Sequence, residues 1–107
     1  MVSIIANLPP FQITRKTGVV PLERGENKVR LPTEYNIVGF SPTSGKSVVG
    51  LIWEAPGGLP DNHWEVIFHV IPVGETFTVE ADGYQVVGSL TALQPVVIYQ
   101  VWNFPKG

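Results

Sequence analysis

The stretch HWEVIFHVI, residues 63–71, decides the fold. Trp64, Val66, Phe68 and Val70 fall on one alternating set, and His63, Glu65, Ile67 and His69 on the other. A period of two is that of a β-strand, whose successive side chains point to opposite faces. The turn residues Pro72-Val73-Gly74-Glu75 end the run.

Toward the C-terminus, Thr76–Ala81 and Tyr84–Leu90 flank Asp82-Gly83. Asp-Gly between alternating segments predicts a tight type I′ hairpin. That register sets Ala81 against Tyr84, Val79 against Val86 and Phe77 against Gly88. Val96 to Phe104 is the most apolar segment. It reads as a strand that is either central and covered on both sides or paired with another subunit.

Toward the N-terminus, the loop APGGLPDN (55–62) precedes the opening stretch. Before it, Ser47–Glu54 puts Val49, Leu51 and Trp53 on one face. Tyr35–Ser41 is another strand, ended by Ser41-Pro42. In Glu26–Leu31, Asn27, Val29 and Leu31 oppose Glu26, Lys28 and Arg30, as in a half-buried strand. Arg24-Gly25 predicts the turn before it. Phe11–Arg15 and Gly18–Glu23 are edge candidates, because Pro21 cannot donate to a ladder. Val2–Ile5 is a further short strand.

About eight short antiparallel strands predict one all-β domain over residues 1–107, a small β-sandwich or partly open β-barrel. Residues 1–19 read as an N-terminal arm or edge strands.

Composition agrees. The 107 residues include ten prolines, eleven glycines and no cysteine, so no disulfide or thiolate metal cage is available. Hydrophobic residues make up 44% and charged residues only 15%, against a usual charged share of about 25%. So little charge on a small globule predicts contact with other molecules. The seven basic residues are scattered and the net charge is −2, which argues against nucleic-acid binding. No apolar run approaches the ~20 residues of a membrane helix. The expectation is a cytoplasmic protein of its producing cell, with later assembly elsewhere left open.

Chemistry-bearing patterns are weak. GFSPTSGKS (39–47) has five residues between Gly39 and Gly45 where a phosphate loop needs four, and a strand follows instead of a helix. His63 and His69 share a strand face, but six residues of strand separate them by ~20 Å, too far to share one metal ion. His63 with Asp61 is the remaining local combination. No serine sits in a Gly-x-Ser-x-Gly elbow. No catalytic, metal or cofactor site is expected. Trp53 and Trp64 read as core residues. Tyr99, Trp102 and Phe104 form a candidate interface near the C-terminus, because aromatic anchors concentrate in binding hot spots. Gly57, Gly58 and Leu59 form a second candidate on the loop.

The order of features from about Val20 to Phe104 resembles a family of small phage-borne all-β proteins of unknown function. The residues that carry it are VPLE (20–23), LPTEYNIVGF (31–40), GLIWEAP (50–56), FHVIPVGETF (68–77), YQVVGSL (84–90) and YQVWNF (99–104). The chain departs from that pattern at Val73-Gly74-Glu75, and residues 1–19 have no counterpart in it. The resemblance implies a phage or prophage origin and brings no catalytic residues.

The leading expectation is a non-enzymatic accessory or virion-associated protein that works through protein contact or self-assembly as a homo-oligomer. The alternative is a small-ligand binder that interferes with host signalling, with Arg15, Lys16, Lys28 and Arg30 meeting an anion. The third is a small hydrolase that uses His63 or His69.

Overall fold

A computed structural model describes residues 12–43, 47–57, 63–91 and 94–105. Among them are seven strands and no helix: β1 (Arg15–Leu22), β2 (Gly25–Pro32), β3 (Asn36–Pro42), β4 (Val49–Pro56), β5 (His63–Pro72), β6 (Gly83–Leu90) and β7 (Val96–Trp102). They form two antiparallel sheets, ordered β1-β4-β3 and β2-β5-β7-β6. The result is an open sandwich. The expected strand at Val2–Ile5 lies outside the described residues, and residues 12–14 are not strand.

Each sheet turns its apolar alternation inward. Leu22 and β4's Val49, Leu51, Trp53 and Ala55 face Leu31, Val66, Phe68, Val70, Val96 and Ile98 of the other sheet. Burying a side chain of this size stabilises by roughly 1.5–3 kcal/mol. β1 is an edge strand, so Pro21's missing donor costs no ladder bond between two neighbours. Gly25 takes φ +85° as the chain turns from β1 into β2, a conformation that glycine adopts without a Cβ penalty. β4 runs on to Pro56, so the expected loop from Ala55 begins later, and Ala55 is a core residue.

Two glycines admit an aromatic ring, one between the layers and one within a sheet. Phe40 of β3 lies over Gly88 of β6, where an added Cβ would come within 2.9 Å of the ring's Cδ2. Trp53 of β4 likewise covers Gly18 of β1. The aromatic neighbour expected for Gly88 was Phe77, and Phe40 takes that place from the opposite sheet.

The Asp82-Gly83 hairpin does not form. Thr76–Ala81 is not a strand, and β6 pairs with β7 instead. β5 and β6 both run antiparallel to β7, so they are parallel to each other. The chain from Val73 to Asp82 must therefore travel the length of the sheet. It is tied at one end by Val73 N–H donating to Pro95 O (3.0 Å) and at the other by Asp82 N–H donating to Trp102 O (3.0 Å). Between the ties Phe77 stacks on His69, with centroids 5.7 Å apart, and packs against Tyr99 at 5.0 Å. Both partners project from the face of the sheet that points away from the core. Phe77 thus covers the outward face of the sheet at His69 and Tyr99, while Val79 and Ala81 of the same alternation stay exposed, and the segment does not pair with β6. His69 is buried, with Phe77 stacked on it.

Candidate functional site

The register of β5 locates a concavity. Pairing with β7 runs from Pro72↔Val96 to Ile67↔Val101 and stops there. Pairing with β2 continues from Gly25↔Val70 to Pro32↔His63. Trp64, Glu65 and Val66 are therefore held on one flank only, and no described strand pairs with their other flank.

The cause lies at the end of β7. Asp82 Oδ2 accepts a hydrogen bond from Phe104 N–H at 2.7 Å, and Asn103 Oδ1 accepts one from Asp82 N–H at 3.2 Å. These bonds draw the chain after β7 toward β6 and away from β5. Gly83, opposite Trp102 in the register, leaves the space in which the Trp102 ring lies. The Asp-Gly pair that signals a hairpin in the sequence thus parts two strands in the structure.

A cavity of about 590 Å³ opens in this gap. Its walls are Trp64–Ile67 of β5, the chain from Gln100 to Phe104, and the turn Thr33-Glu34-Tyr35. Because the strands part, residues of both sheet faces line it. Trp64 and Phe104 are 63% and 62% exposed, Trp102 is half-buried, and Tyr35 completes an aromatic set. The Tyr35 hydroxyl bonds to the Gln100 side chain, and burial pushes its pKa up, so it stays a neutral phenol at physiological pH. Glu34 sits on the rim with φ +62°, in the left-handed region that costs a side-chain-bearing residue about 1–2 kcal/mol. Among the described residues the walls carry two carboxylates, Glu34 and Glu65, and no lysine, arginine or histidine. This arrangement suits binding: apolar rings, two amides in Gln100 and Asn103, and acids without bases.

Of the residues expected at an interface, the structure brings Trp102 and Phe104 together here. Tyr99 lies apart, on the outward face between Phe77 and Tyr84. Gly57 donates its N–H to Thr14 O at 3.0 Å and so closes the start of β1 against the end of β4. Gly58 and Leu59 lie outside the described residues, as do Asp61, Gly45 and Lys46. Trp64 corrects the expectation of a core residue. It shares the alternation of Val66 and Phe68 but stands beyond the end of β5–β7 pairing, where nothing described covers it.

His63 and His69 stand six residues apart on β5 and are not brought together. His69 lies under Phe77, with Nε2 3.8 Å from Glu26 Oε2 and without a hydrogen bond. Among the described residues no group of three His, Asp or Glu side chains is placed to hold a metal. The basic residues are divided between the sheets: Arg15, on β1, is held by Glu54 at 3.0 Å, while Lys28 and Arg30 are on β2. No described helix is long and apolar enough to cross a membrane.

Fold and site define a class: an all-β open sandwich with an aromatic cleft where two strands part. No protein-family model, curated protein or solved structure matches the chain.

Proposed function

We propose that this chain is a non-enzymatic β module that works through protein contact, with the β5–β7 cleft as its contact site. The carrying observation is the convergence of Tyr35, Trp64, Trp102 and Phe104 on one opening, with Trp64 and Phe104 more than half exposed. Tryptophan and tyrosine dominate interface hot spots because they desolvate much area for few rotatable bonds. Read with the phage resemblance, the partner is a component of a phage particle or a second copy of the chain.

Sedimentation of the wild type and of a Trp64→Ala/Phe104→Ala variant, alone and with the particle proteins encoded beside it, tests this. Both side chains are exposed, so the variant is expected to fold. Association that the variant loses supports the reading. A wild type that stays monomeric and partnerless, or a variant that associates equally well, overturns it.

The cavity volume favours a second reading, a small-ligand binder, since ligand pockets span roughly 300–1,000 Å³. The absence of bases from the described walls turns that reading away from anions.

A further inference from the structure

We infer that the cleft takes an extended, basic peptide segment of a partner protein, which adds along the open flank of β5 at Trp64–Val66 and places an arginine or lysine side chain among the aromatic rings. The inference rests on the contact role proposed above and names the chemistry of the partner.

Two independent observations carry it. The first concerns the backbone. Beyond Ile67↔Val101, β5 keeps only its β2 neighbour, and no described backbone group bonds to its other flank over Trp64–Val66. Such a flank is where an added strand docks, with main-chain bonds supplying affinity and side-chain pockets supplying selectivity. The strand's own continuation is withheld from it, because Asp82 holds Phe104 on the other side. The second concerns charge. Aromatic faces attract cations, and the walls add Glu34 and Glu65 with no base among the described lining residues. Arg30 stands opposite Glu65 across β2–β5, yet no ion pair closes between them. Neutral apolar occupants would leave both carboxylates unmatched, and anionic ones would be repelled. Guanidinium is the best fit, because its plane stacks on aromatic rings while its edge pairs with carboxylates.

The test is a nuclear magnetic resonance titration of the full chain with a blocked peptide, acetyl-Thr-Val-Arg-Val-Thr-amide. A second peptide carries citrulline, the neutral isostere, in place of arginine. The arginine peptide is expected to shift the indole N–H signals of Trp64 and Trp102 and the amide of Glu65. The citrulline peptide is expected to bind about tenfold more weakly, in line with one desolvated cation–π contact and its carboxylate partners. A Glu34→Gln/Glu65→Gln variant should lose that preference while keeping its fold.

Equal binding of the two peptides overturns the charge argument but leaves the contact role standing. Free arginine amide binding as tightly as the peptide overturns the strand-addition part. If neither peptide moves the indole signals, the inference fails. The contact role fails with it only if Trp64→Ala/Phe104→Ala also leaves association unchanged.

Discussion

Replacing Gly83 with alanine tests how the cleft is built. An added Cβ would lie 2.5 Å from Trp102 Cζ2 and closer still to Cε2 and Nε1. Ordinary carbon contacts lie at about 3.5–4.0 Å, so the indole must retreat by about 1 Å. The backbone at Gly83 is outside the left-handed region, so alanine adds crowding without backbone strain. Overpacking of this kind costs about 1–3 kcal/mol, which for a chain of this size is a fall in Tm of about 5–15 °C. The Trp102 indole N–H resonance should shift strongly, and that of Trp53 little. Gly39→Ala is the control, since nothing lies within 4 Å of its added Cβ and its expected change is within about 0.5 kcal/mol. If Gly83→Ala is as stable as Gly39→Ala and leaves the Trp102 signal in place, Gly83 does not seat the indole and the account of the cleft is wrong.

Other perturbations have definite outcomes. Phe77→Ala removes the cover over His69 and Tyr99 and should cost about 2 kcal/mol in urea unfolding, less than a fully buried phenylalanine because Phe77 is only half-buried. Asp82→Ala removes the acceptor of the Phe104 amide and should cost about 1 kcal/mol, with faster hydrogen exchange at that amide. Glu34→Gly relieves the left-handed strain on the rim and should raise stability by about 0.5–1 kcal/mol in the same unfolding assay. Tyr35 has a folded-state pKa above its usual 10.0, chiefly from burial. Its contribution is therefore fully present below pH 10 and is lost as pH rises through the folded value. Alkaline unfolding of Tyr35→Phe should show a shallower loss of stability than the wild type above pH 10.

The parts legible in the sequence are those where alternation serves one core. Val49, Leu51 and Trp53, and Val66, Phe68 and Val70, sit where their spacing puts them, facing each other across the sandwich. Two features escaped because local pattern does not record pairing partners. The alternation of 76–81 is equally suited to a hairpin and to a cover over an apolar sheet face. Asp82-Gly83 favoured the hairpin reading, whereas the structure uses the carboxylate for Phe104 and the missing Cβ for Trp102. Trp64 looks like core because sequence cannot show where β7 stops pairing with β5. Trp102 and Phe104, singled out by their aromatic character near the C-terminus, do line the candidate cleft. Tyr35 and Glu34 were not singled out, since they reach the cleft from a turn about 65 residues earlier.

The strand order β5-β7-β6 underlies the parted strands, the seated indole and the open flank alike. A nuclear Overhauser spectrum of the labelled protein reads that order directly. It should show the Phe77 ring close to His69 and Tyr99, and Tyr84 across from Val101. Cross-strand contacts between Val79 and Val86, the signature of a hairpin at Asp82-Gly83, would contradict it.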